Sequence, residues 1–213
     1  MLDTFKQFSQ ITQITIILLV YATLVLIALA FGPDEQTLGA GIKTVYVHVA
    51  LIWVGMVGIY LAGIVGLVVA LTARTDFYLW MRVIGLVALG FFLGGTVSSV
   101  AAQVVNWGGI ALAEPRTLAS LQVIAAGIIV LVLSVWNIDK RALGGVYLLW
   151  ALFTFWTTNS AELVLHPENA IGSSNSDAIR LMFYGLFGLT LLTASAIVAV
   201  LRPELPQTPR TPQ

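Results

Sequence analysis

VYVHVALIWVGMVGIYLAGIVGLVVALT, residues 45–72, runs for 28 positions without an acid, a lysine or an arginine. A helix needs about 20 apolar residues to cross a hydrocarbon core roughly 30 Å thick. This stretch exceeds that length, so it reads as a membrane span long enough to tilt or protrude. Working outward, five further stretches meet the same test: about 13–32, 82–106, 117–137, 146–165 and 178–201. The expected fold is therefore an all-α, polytopic membrane protein with six transmembrane helices. Residues 1–201 are expected to form one six-helix domain. The proline-rich, polar RPELPQTPRTPQ, 202–213, is expected to be a flexible cytoplasmic tail.

Composition agrees with that class. Of 213 residues, 59% are hydrophobic and 9% charged, against roughly a quarter charged in soluble domains. Ten basic and ten acidic residues cancel, leaving no global field to recruit nucleic acid. Membrane lipid is the expected surrounding partner. The absence of cysteine removes disulfides, thiolate metal sites and thiol nucleophiles together. No G-x-x-x-x-G-K-[ST] loop occurs, so ATP use has to come from another protein. No side chain stands out as a nucleophile or general base, and an enzyme is not expected.

The first span needs a separate look, because Lys6, an apolar run and the A-x-A at Ala28–Ala30 resemble a secretory leader. Its apolar run is longer than most leader cores, so it is read as a retained span. Orientation follows from the basic residues. With the N-terminus inside, the cytoplasmic side collects Lys6, Arg74, Arg82, Lys140, Arg141, Arg202 and Arg210. The outside keeps Lys43, Arg116 and Arg180, which favours an N-in/C-in topology. Glycines 55, 58, 63 and 66 in the second span, and 90, 94 and 95 in the third, suit close helix packing in lipid.

The chain has two histidines, and this topology puts both at one membrane level on one side. His48 begins the second span, in KTVYVHVALIW; His166 ends the fifth, in ELVLHPENA. Neutral imidazole is the commonest metal ligand, and two facing ones can hold the iron of heme axially. The plainer alternative is a pair of interfacial histidines bonded to backbone carbonyls. Glu162, four residues before His166, is placed to orient that imidazole if the helix continues. Tyr46 and Trp53 flank His48 and read by default as belt aromatics.

Between the histidines lies the outer loop NWGGIALAEPRTLAS, 106–120, with Trp107, Gly108, Glu114, Pro115 and Arg116. Pro115 and Glu114 suit the first turn of a helix. Arg116 can pair bidentately with a carboxylate, such as a heme propionate, or simply help to cap that helix. In the next outer loop, Ser176 and Asp177 read as a helix start, with Arg180 snorkelling to headgroups.

Taken together, YVHVALIWVGMVGIY, LVLHP and NWGGIALAEPRTLAS resemble the heme-handling cytochrome c assembly family, and most closely its CcmC branch. The resemblance runs over nearly all of residues 40–200. It implies axial heme ligation by His48 and His166, a heme-binding loop starting at Trp107 and Gly108, and an acid–arginine pair at Glu114 and Arg116. It also implies a bacterial cytoplasmic (inner) membrane location with heme on the extracytoplasmic side. The partners implied are a periplasmic heme chaperone, which receives heme for cytochrome c maturation, and ABC-transporter subunits. This chain departs from the pattern in having Ile110, Ala111 and Ala113 where the family loop is crowded with tryptophans, and Glu114 where an aspartate is usual. Each lost aromatic face forgoes roughly 0.5–1.5 kcal/mol of stacking. Two rival functions follow from the same residues: a membrane cytochrome b that keeps its heme, and a heme-free scaffold subunit of a transporter.

Overall fold

The computed structural model describes residues 2–136, 138–162, 164–165, 171 and 174–202, the side chains of residues 2–6 aside. His166 and the tail beyond Arg202 lie outside the described residues. Among the described residues six helices follow one another: α1 Leu2–Phe31, α2 Ile42–Thr72, α3 Thr75–Trp107, α4 Pro115–Val135, α5 Lys140–Ser160 and α6 Asp177–Val200. Five of them are long and apolar enough to cross a membrane. The other, α5, has 21 residues and at 1.5 Å per residue spans about 30 Å. Its Tyr147, Trp150, Trp156 and threonine-rich end set it apart from its more aliphatic neighbours. The bundle turns large apolar side chains outward, with Leu26, Ile64 and Leu192 each more than 60% exposed. Such a surface suits hydrocarbon and not water. The protein is all-α and of the polytopic membrane class.

Helix α2 is the hub, packing on α3, α5 and α6. Small residues allow this. A Cβ on Gly144 of α5 would lie 2.5 Å from the Gly66 carbonyl oxygen and 2.7 Å from the Ala70 nitrogen of α2. Across the other seam, a Cβ on Gly95 would meet the Ile52 nitrogen at 2.7 Å, and one on Gly55 the Phe92 nitrogen at 2.6 Å. Lipid offers no hydrophobic drive between helices, so such backbone approach is what gains dispersion energy. Gly58 and Gly63 are equally close-packed, whereas Gly90 and Gly94 face open space and take no part. Helix α1 lies at the edge. It docks mainly on α6, where the Gln10 amide donates to the Val200 carbonyl (3.1 Å) and Tyr21 bonds Thr190 (3.0 Å).

Three helices depart from the expected spans, α1 by starting at Leu2 instead of near 13. Helix α3 starts at Thr75 instead of near 82, after a turn of two residues. Ala73 makes that turn at φ 54°, and Asp76 sits in the first helical turn, held by the Arg74 guanidinium at 2.5 Å. An acid at the positive end of the helix dipole stabilises a start that hydropathy alone does not reveal. Helix α5 is displaced towards the N-terminus. It begins at Lys140 because Asp139 Oδ1 accepts from the Arg141 and Ala142 amides, at 2.9 and 3.1 Å. It ends at Ser160, where Thr158 and Asn159 donate to the Thr154 and Phe155 carbonyls.

Candidate functional site

The ends of α3 and the starts of α2, α4 and α6 meet at one pole of the bundle. Their geometry is set by a buried polar lattice. The Asn106 amide on α3 donates to the Gly41 carbonyl (3.3 Å), Thr44 Oγ1 (3.2 Å) and the Ala102 carbonyl (2.8 Å), tying the end of α3 to the first turn of α2. Gln103, 3% exposed, donates to Thr117 Oγ1 at 3.1 Å and accepts from the Ala111 amide at 2.9 Å. That pair ties α3 to the start of α4 and to the loop between them.

His48 stands one turn into α2, half-buried. Its Nδ1 lies 3.2 Å from the Thr44 carbonyl oxygen, one helical turn back. A carbonyl can only accept, so the bond calls for a proton on Nδ1, which in the neutral ring leaves the lone pair on Nε2. That is the tautomer an Nε2 metal ligand requires. The ring lines a cavity of about 140 Å³ with Val49, Ile52, Trp53, Gln103, Arg116 and Thr117. Arg116 therefore faces the same space as His48. Its Nε is buried with no hydrogen-bond partner among the described residues. The other two cations at this pole are engaged: Lys43 lies 3.4 Å from Asp34, and Arg180 pairs with Asp177 on its own helix.

The remaining predicted loop residues have structural positions. Gly108 is the cap that ends α3, at φ 75°, with its amide donating to the Val104 carbonyl at 3.1 Å. Most side chains avoid that conformation, so glycine is explained by the turn. Glu114, 4% exposed, is the N-cap of α4 and accepts from the Thr117 amide at 2.9 Å. Trp107 is the last residue of α3 and half-buried; it is not among the residues lining the cavity. His166 lies outside the described residues. Glu162 lies past the end of α5 and is exposed.

The two flanking aromatics differ in their surroundings. Tyr46 is fully buried, with its hydroxyl donating to the Pro33 carbonyl at 3.4 Å, and is not a belt residue. Trp53 forms a wall of the His48 cavity, backed edge-on by Phe183 at 5.3 Å and Phe187 at 6.1 Å from α6. Trp53 lies five positions after His48, too far for the one-turn neighbour rule on a helix, so their common cavity was not visible from spacing.

Chemically, this pole offers an imidazole that suits metal ligation when neutral, a guanidinium whose Nε has no hydrogen-bond partner among the described residues, and an aromatic wall. Those groups fit an iron, a propionate and a porphyrin face respectively. The cavity of about 140 Å³ is smaller than the roughly 300–1,000 Å³ of small-molecule sites. It would take one edge of a macrocycle, and the rest would have to extend beyond it. No protein-family model and no curated protein matches the chain.

Proposed function

We propose that this protein binds heme at the His48 pole and passes it on, as its resemblance to the heme-handling cytochrome c assembly family implies. His48 would supply one axial ligand and His166, from the segment after α5, the other. Arg116 would neutralise a propionate, and Trp53 and Trp107 would offer aromatic faces. Glu114 and Gly108 would act through the helix ends that position Arg116 and Trp107. The six-span, N-in/C-in reading of the basic residues would put this pole on the extracytoplasmic side, and the resemblance implies a bacterial inner membrane. Heme held there would be accessible to a periplasmic chaperone, with ABC-transporter subunits as membrane partners. The iron and the receiving protein carry the chemistry; this chain binds and orients.

One observation carries the reading: His48, whose Nδ1 bonds the Thr44 carbonyl, shares a cavity with Arg116, whose buried Nε has no hydrogen-bond partner among the described residues. The test is a visible absorption spectrum of protein purified from heme-replete membranes. Wild type should carry six-coordinate, low-spin heme that His48→Ala and His166→Ala each lose. Wild type without heme, or variants with unchanged spectra, would refute the proposal. The small volume of the cavity favours a second reading, a heme-free scaffold subunit. That reading predicts no heme in any of the three preparations.

A further inference from the structure

The opposite pole holds a second cavity with different chemistry. Near the start of α3 and the end of α4 the two helices stand apart, leaving a groove of about 330 Å³. Leu79, Arg82, Val83 and Leu86 form one wall, at the spacing of a single helix face. Leu131, Ser134 and Val135 of α4 form the other, and Tyr147 of α5 lies at the floor. The polar atoms of the floor satisfy each other: Ser134 Oγ donates to the Val130 carbonyl at 2.7 Å and lies 3.0 Å from the Tyr147 hydroxyl. The groove is thus an apolar slot with one ionic group, the Arg82 guanidinium.

That guanidinium is poorly compensated. Its Nε is buried with no hydrogen-bond partner among the described residues. Its Cζ lies 5.5 Å from the Tyr78 ring centroid, and Lys140 Nζ lies 5.8 Å from the same ring. Lys140 bonds only an uncharged partner, Thr75 Oγ1 at 2.8 Å. The two nearby acids are committed elsewhere, Asp76 to Arg74 and Asp139 to capping α5. Two cations therefore face one aromatic ring with no carboxylate between them among the described residues. The groove opens towards lipid, since Leu86 is 50% and Val135 75% exposed, and exposed Trp136 caps α4 beside it. Tryptophan at a helix end marks the headgroup level.

We propose that this groove is a site for an anionic phospholipid, with one acyl chain between α3 and α4 and the phosphate held by Arg82 and Lys140. Charge selects the lipid, because a zwitterionic headgroup brings its own cation against two that are already there. The apolar walls select a chain over a free anion. Basic pockets between spanning helices bind acidic headgroups on the same physical grounds.

The test uses the full chain, delipidated in a neutral detergent and titrated with dioleoyl phosphatidylglycerol or dioleoyl phosphatidylcholine under native mass spectrometry. The expected result is a one-to-one phosphatidylglycerol adduct formed in clear preference to phosphatidylcholine. Arg82→Gln should weaken that adduct about fivefold and leave the phosphatidylcholine signal unchanged. Val135→Trp changes an exposed residue, fills the groove and keeps both cations, so it should lower the adduct even if Arg82→Gln misfolds. Equal retention of the two lipids overturns the proposal, as does an adduct insensitive to Val135→Trp. A lipid-free dimer broken by Val135→Trp would overturn it too, by assigning the groove to a second copy of the chain.

Discussion

Replacing Gly144 by alanine adds one methyl group where α5 crosses α2, and the structure fixes how badly it fits. The new Cβ would lie 2.5 Å from the Gly66 carbonyl oxygen and 2.7 Å from the Ala70 nitrogen, both backbone atoms that no rotamer change can move. The helices would have to separate by something approaching 1 Å, a gap that forfeits a quarter to a half of each dispersion contact along the seam. Overpacking of this kind costs about 1–3 kcal/mol. Alanine also gains roughly 1 kcal/mol of helix propensity over glycine, which would mask part of the loss. The neighbouring Gly145 removes that ambiguity, since a Cβ there meets nothing within 4 Å. Gly145→Ala gains the propensity without the clash, so the difference between the two variants isolates packing. With about 2–4 °C of Tm per kcal/mol at this chain length, Gly144→Ala should melt roughly 2–12 °C below Gly145→Ala. Thermal unfolding in one detergent, followed by intrinsic fluorescence, makes the comparison. Equal melting temperatures would refute the close α2–α5 approach.

Asn106→Ala should destabilise the protein by about 1–2 kcal/mol, because it frees the end of α3 from Gly41 and Thr44 of α2; an unchanged melting curve would contradict that link. Arg116→Gln removes a guanidinium with an unsatisfied buried nitrogen, so the heme-free protein should lose no stability. Heme affinity in the same variant should fall about tenfold or more, read by titration with hemin, if the cation serves a propionate. In the loop before α2, the Leu38 and Thr37 amides donate to Glu35 and hold its carboxyl below the usual range. A depressed carboxyl stabilises the fold above its unfolded pKa, and the benefit disappears as pH falls through the lower folded value. A carbon-13 titration of Glu35 should therefore show a midpoint below that of a free glutamate; a midpoint at or above it would count against the turn.

The helical membrane class was legible because six runs of about 20 residues almost without charges have few other solutions in water or lipid. His48 and Arg116 were legible for a related reason: ionisable groups are scarce enough here to be conspicuous. Trp53 was not. Helix α2 is apolar all round, so no polar stripe marks which side faces its neighbours. The floor of the site at Gln103 and Thr117 was hidden as well, because their bond joins two helices through a packing no local pattern encodes. The end of α5 was misplaced because Ala161 to Leu165 is apolar enough to extend a span, whereas the helix stops at Ser160.

The docking of α1 on α6 has a consequence for biosynthesis. Helix α1 leaves the ribosome before the helix that it mainly rests on, so it must wait in the bilayer while some 145 intervening residues are inserted. A nascent chain stalled before Asp177 would leave α1 without that support and open to quality-control proteases. Insertion of α6 then acts as the clasp that holds α1 in the assembly.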